Sequence, residues 1–471
     1  MTTEAQLGGA GAATSVLRPP TRAARLLGLG SVYGKAFRDS RRTALVLAAV
    51  FGLLVAATAG QVVSQFATIE SRLIFARQLT ALPAVFQGML GEPVRIDTLG
   101  GFVSWRILNF IPVMLGIWSL VAFSGTLAGE LARGSLDFVA ATPVARRRLA
   151  AQKVLAFVSS VLLTVVVLEA ILYASVNALA ALPGDSVSLG AAAGSGAWLL
   201  VTILLPGAVA FAVAPILGRG GALGVGAVVL FLSFVVSAYS DIVPAFEILR
   251  PLSYLHFTAD HRPLGGQWDW PSVGVLAGVV VALFVAGVAA FERRDLLAPG
   301  GGRFRIPAIR LWIRGVFLRG VGERLPASLA WGFGLGLYGI LIATSADEFV
   351  AQIGKIPQIA EMIRRIFPDA NILSTAGFLQ LSFFGQGIIM FGLAAATFVG
   401  GWASDEGERR LEVLLSAPVG RLAWALRSGA SVLAAVAIMT FLMALGVAAG
   451  TAAQGDDIVG PTTGVAVLGL Y

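Results

Sequence analysis

Ten apolar runs decide what this chain can fold into. They lie near residues 43–66, 102–128, 154–181, 192–217, 222–240, 273–291, 327–346, 376–402, 428–452 and 461–471. A helix needs about 20 apolar residues to cross the hydrocarbon of a bilayer. Within it only helices and closed barrels satisfy their own backbone. The first nine runs read as complete helical spans and 461–471 as the beginning of a tenth, so the expected fold is an all-α polytopic membrane protein. The balance of 57% hydrophobic to 13% charged residues agrees, because a soluble domain carries about a quarter charged residues.

Lysine and arginine set the orientation. With the N-terminus cytoplasmic, 25 of the 34 fall in inside segments, as the positive-inside rule requires. The basic balance, +8 at neutral pH, is thereby explained without a nucleic-acid partner, and the expected location is the cell membrane. The chain has no cysteine and only His256 and His261. Disulfides and thiolate chemistry are excluded, and no metal site is expected.

One charged stretch, "SDEGERRLEVLLSAPVGR" (404–421), interrupts the apolar pattern and has a counterpart in "GELARGSLDFVAATPVARRRLAAQK" (129–153). A shift of 275 places Glu130 on Asp405, Leu136 on Leu411, Asp137 on Glu412, Pro143 on Pro418 and Arg146 on Arg421. The flanks repeat as well: "TLGGFVSW" (98–105) matches "STAGFLQL" (374–381), and "VYGKAFRDSRRTAL" (32–45) loosely matches "VFLRGVGERLPASL" (316–329). Two tandem copies of one membrane module are therefore expected. The first spans 1–295, a basic cytoplasmic linker with a second elbow helix spans 296–326, and the second copy spans 327–471. Both enter the membrane in the same sense, so parallel six-helix modules are expected, about 12 spans in all, around a pseudo-two-fold axis normal to the membrane. The second copy is short of its last spans, and the natural chain is expected to be longer by about a hundred residues on repeat length.

In both charged segments leucines and alanines recur at helical spacing, acids crowd the helix start and a proline stops it. At these residues the sequence resembles the ABC-2 type permease family. "ELARGSLDFVAATPVAR" follows its cytoplasmic signature from Glu130 to Arg146, while the second copy matches from Leu411 to Arg421 and has Arg409 and Arg410 where the family has small residues. Two fused modules resemble actinobacterial exporters of polyketide antibiotics and other drugs.

The resemblance implies a type V-like ABC exporter fold. It implies coupling helices that dock on two copies of a separate ATPase subunit, through Glu130, Arg133, Asp137, Pro143 and Arg146 in one copy and Asp405, Glu406, Glu408, Glu412, Pro418 and Arg421 in the other. ATP and Mg would be held by those subunits, with no cofactor on this chain. The nearest approach to a phosphate-cradling loop, "LGSVYGKA" (29–36), has Leu29 and Ala36 where that loop needs Gly and Ser or Thr. The chain is thus not expected to be an enzyme by itself.

The substrate path is sought in the second span of each copy. Phe110, Trp118, Phe383, Phe384 and Phe391 are candidate walls for a small hydrophobic or amphipathic drug or a lipid-like molecule, with packing or lipid contact as the plainer alternative. Arg106 and Glu169 lie within spans, where a charge costs about 2.5–3.5 kcal/mol. They are expected to pair with each other, or Glu169 to meet a cationic substrate. Segments 67–100 and 347–374 read as amphipathic outer helices and 247–270 as an aromatic interfacial piece. An ion-coupled secondary drug transporter, a membrane enzyme for lipid-linked substrates and a mechanotransmitting ABC subunit remain as alternatives.

Overall fold

A computed structural model describes residues 31–80, 91–126, 145–240, 247–293, 315–353, 375–380, 391–392, 394–395, 397–399 and 420–470. Among them seven helices are long and apolar enough to cross a membrane, and a pair bent by 42° makes an eighth. The chain is an all-α polytopic membrane protein. The expected span 376–402 lies largely outside the described residues.

Helix α1 (Val32–Gln65) starts where Ser31 accepts a hydrogen bond from the Gly34 N–H at 3.0 Å, an N-cap that satisfies one orphan donor. One side of α1 is small, and Ala44, Ala48, Gly52, Val55 and Ala59 are all buried. Helix α2 (Ile69–Thr80) follows in the first loop on the side opposite the two charged segments; that side is called outer and the other inner, after the orientation expected from the Lys and Arg pattern. The second span is a short helix α3 (Leu99–Val103), a π turn at Ser104–Leu108 and helix α4 (Ile111–Thr126).

Helix α5 (Arg146–Leu179) packs along α1. Ser40 and Ser160 share a hydrogen bond at 2.6 Å, the Thr164 hydroxyl donates to Ala44 O at 3.2 Å, and Gly52 faces Ile171. Contact positions rise together along both helices, so α1 and α5 are parallel, as a first and a third span must be. Small residues allow this close approach.

Helix α6 (Leu189–Tyr239) consists of two arms that break at Gly218, whose φ of 71° suits glycine. The second arm folds back, so that Gly226 lies against Pro206 and Ala210. Two spans thus meet in a turn of a few residues. The first arm is the centre of the bundle, with 67% of its most apolar window buried against 28% for helix α8 (Trp270–Glu292). Before α8, a short outer segment contains helix α7 (Tyr254–Phe257) and a turn closed by Arg262 and Gln267.

Helix α9 (Val316–Thr344) leads through α10 (Ala346–Ile353) and α11 (Thr375–Leu379) toward α12 (Arg421–Ala453), which ends in α13 (Val459–Leu470). Helices α9 and α12 are again parallel. Gly332 meets Leu442, Gly336 meets Gly446, Gly450 meets Ile340, and the Gln454 amide donates to Thr344 O. A Cβ on Gly446 would stand 2.2 Å from Gly336 O, so the two backbones touch. Two interlocking glycine pairs four residues apart give this contact.

The repeated sequence blocks occupy corresponding places. α1 and α9 begin at Val32 and Val316, and α5 and α12 begin at Arg146 and Arg421. α3 and the described part of α11 are each followed directly by a π-type turn residue, Ser104 and Gln380. The two parts meet where the second arm of α6 reaches α9, with the Phe231 and Tyr338 rings 6.5 Å apart. Outward faces carry Leu53, Val281, Phe333 and Phe441, all exposed, as lipid contact demands.

Candidate functional site

The outer end of the first bundle is closed by a hub on Asp185, in the turn between α5 and α6. Its carboxylate accepts from Leu99 N at 3.0 Å, Leu182 N at 2.9 Å and Ala181 N at 3.3 Å, and forms a buried ion pair with Arg72 of α2. Arg72 also donates from Nε to Phe66 O at 3.0 Å, which anchors the end of α1. Three outer elements are therefore tied to one carboxylate, itself at the N-terminal end of α3 where the helix dipole favours an anion. Burial lifts the Asp185 acid, but the hydrogen bonds from Arg72, Leu182 and Leu99 and the guanidinium charge outweigh it, and the group sits below the ordinary carboxylate range. Asn177 holds the same turn by exchanging two hydrogen bonds with the backbone of Val187, both at 3.1 Å.

The third loop on this side packs beside it, where Leu264 and Val187 both lie against Gly100 of α3. His261 packs edge-on against the stacked Trp268 and Trp270 rings, accepts from Asp269 N at 3.0 Å on Nδ1 and faces Gly194 O with Nε2. The imidazole serves as a brace. Trp198 donates to the Thr258 hydroxyl at 3.0 Å, and Arg262 pairs with Glu92 at 3.2 Å. Tyr254 is buried with its hydroxyl unpartnered, and burial pushes that phenol above its ordinary range.

Of the expected pathway residues, Phe110 and Trp118 are half-buried, Phe391 is buried, and Phe383 and Phe384 lie outside the described residues. Several aromatics of the second span are core. Phe123 packs with Phe157, Phe211 and Phe284, and Trp105 donates to Gly91 O at 2.7 Å.

Arg106 and Glu169 do not pair. Arg106 stands exposed on the π turn, whereas Glu169 is buried against Ser195 and Gly196 of α6. Both Glu169 oxygens and the Ser195 hydroxyl are buried without a hydrogen-bond partner.

At the inner end, Glu130, Arg133, Asp137 and Pro143, and likewise Asp405, Glu406, Glu408, Glu412 and Pro418, lie outside the described residues. Arg146 and Arg421 are described. Both are exposed first residues of long helices. The stem of the first charged segment is held from two sides. Lys153, buried on α5, points Nζ at Thr126 O at 3.5 Å, and the Arg219 guanidinium from the turn between the arms of α6 lies over Gly125. Cations at a helix C-terminus are favoured by its dipole.

Sequence reasoning did not find the Arg72–Asp185 hub or the glycine pairs of α9 and α12. The second had a visible signal, since Gly332 and Gly336, like Gly446 and Gly450, stand four apart in apolar runs.

A family model described as the C-terminal domain of the multidrug efflux system permease Rv1217c matches residues 324–470. No curated protein matches the chain.

Proposed function

We propose that this chain is the membrane subunit of an ATP-driven exporter of the ABC-2 type, moving hydrophobic or amphipathic drugs or lipid-like molecules outward by alternating access. The observation that carries it is where the match to a multidrug efflux permease domain falls. It lies on 324–470, the second copy of a sequence repeat whose two charged segments follow the ABC-2 signature. Matching helix starts at Arg146 and Arg421, directly after those segments, and two parallel helix pairs support a tandem organisation. The inner segments would dock two ATPase subunits, which hold ATP and Mg. Closure of that dimer would pull on the stem at Gly125 and Thr126, and so on the second span.

A second reading, an ion-coupled drug transporter, is favoured by Glu169, a buried acid without a counter-ion.

The test is co-purification of the whole chain with candidate ATPase subunits from the same genome, followed by hydrolysis and drug efflux. Glu130, Asp137, Glu408 and Glu412 are each changed to Ala. Weakened docking, or hydrolysis no longer tied to efflux, is the expected result. Efflux driven by a proton gradient with no ATPase bound would overturn the first reading in favour of the second.

A further inference from the structure

Glu169 lies ten residues before the end of α5, about 15 Å below the outer end of that helix at 1.5 Å per residue. Ser195 lies six residues into α6, about 9 Å below its start. Between them the two carboxylate oxygens and the serine hydroxyl are buried, and none makes a hydrogen bond. The Ser195 hydroxyl neighbours the carboxyl and acts on it as a hydrogen-bonding group, in a geometry too poor to satisfy either oxygen. Gly196 supplies the room, since a Cβ there would stand 3.2 Å from Glu169 Cγ.

Among the described residues no charge faces this acid from the surrounding helices. Across from it α1 carries none after Arg42, and its register puts Gly52, not a cation, beside Ile171. α4 has no charged residue, and the charges of α6 and α8 are Arg219 and Glu292, at their inner ends. On α5 itself the remaining charges are Arg146, Arg147, Arg148 and Lys153, four turns or more away. A bare carboxylate sealed among apolar side chains costs several kcal/mol, and the two carboxylate oxygens and one hydroxyl here are fewer than the roughly six oxygen ligands a hard metal cation takes.

We propose that Glu169 and Ser195 form a proton-binding site inside the first bundle, filled while α5 and α6 are packed and emptied when they part and water reaches the carboxyl. The ligand is the hydron alone. On release the carboxyl O–H bond breaks, the electron pair stays on oxygen and water takes the proton. The site stands whether or not an ATPase drives the chain.

Infrared spectroscopy of the whole purified chain in lipid tests it directly, because a protonated carboxyl shows a carbonyl stretch that a carboxylate lacks. Glu169 and Asp185 are the buried acids among the described residues, and Asp185 is ion-paired. The expected result in neutral buffer is such a band, lost in Glu169→Gln, that shifts slowly in heavy water. Should Glu169→Gln fail to accumulate, Ser195→Ala decides, and the band must change frequency when its neighbour hydroxyl goes. No protonated-carboxyl band in wild type, a band untouched by these substitutions, or a shift as fast as that of a surface group each overturns the proposal. Drug efflux need not be measured, so failure of the exporter reading and failure of this site are separate results.

Discussion

Replacing Asp185 with Ala should open the outer end of the first bundle. The substitution removes the partner of a guanidinium that is 2% exposed and orphans N–H groups of Leu99, Leu182 and Ala181. Breaking one side of a buried ion pair costs about 3–5 kcal/mol, because the other charge stays buried and uncompensated. The energy acts locally, on the contact between α2, the turn at 181–187 and the start of α3. The chain has no cysteine, so Val187→Cys is a clean reporter. Val187 is 7% exposed and rests against Gly100 of α3.

Labelling by a membrane-impermeant maleimide, applied to each side of the membrane in turn, then reports opening at that end. At 1.36 kcal/mol per decade, Asp185→Ala should speed labelling between about a hundredfold and a few thousandfold. A change under about threefold would show that the hub does not hold the outer end, since it lies far below what a lost buried charge pair costs. The double variant Arg72→Met, Asp185→Leu separates causes, because an apolar pair is often neutral or better than the ions it replaces. It should restore protection. If it stays as open as Asp185→Ala, the hub is held by something other than the pair.

The same reporter has a defined pH response. The folded Asp185 acid sits below 3.8, its ordinary value, so its stabilisation is complete above that value and disappears as pH falls through the lower folded one. Protection of Val187→Cys, corrected for thiol reactivity, should be flat at neutral pH and fall only below about pH 4. Gly446→Ala should destabilise by about 1–3 kcal/mol or more, since its Cβ meets backbone 2.2 Å away. Gly278→Ala on α8, with nothing within 4 Å, should gain up to about 1 kcal/mol by helix propensity, and thermal unfolding in detergent compares the two. Trp105→Phe should cost about 1–3 kcal/mol by leaving Gly91 O unpaired, read from the same unfolding curves.

The spans were legible because lipid forces a long apolar signal onto each one, and the described helices fall on nine of the runs. The hub was not legible. Arg72 and Asp185 stand 113 residues apart in segments without period, and three of the donors are backbone N–H groups, which carry no sequence mark. Arg106 reads as a charge within a span that must face protein or water, and on the π turn at Ser104–Leu108 it is exposed. Glu169 was visible as an acid in an apolar run, yet its want of a partner depends on four neighbouring helices. Phe123 and Trp105 of the second span are packed core, and apolar sequence alone does not tell such packing from a cavity wall.

Stiffness is unevenly distributed in this chain, and the unevenness has a direction. The pairs α1 with α5 and α9 with α12 are fastened along their length by small residues, backbone contact and Ser, Thr and Gln hydrogen bonds, and such close-packed pairs move as units. The second span is different. It bends by 42° between its two helices and carries a π turn, a feature that marks weak points in helices. Its outer end is capped by Thr98 and fixed through Leu99 to the Asp185 hub, and its inner end is held through Thr126 to Lys153. A force applied at Thr126 would therefore be absorbed at the bend around Asn109 and Phe110 before it displaced either parallel pair. Phe110 and Trp118, half-buried beside that bend, are the aromatics whose surroundings would change first.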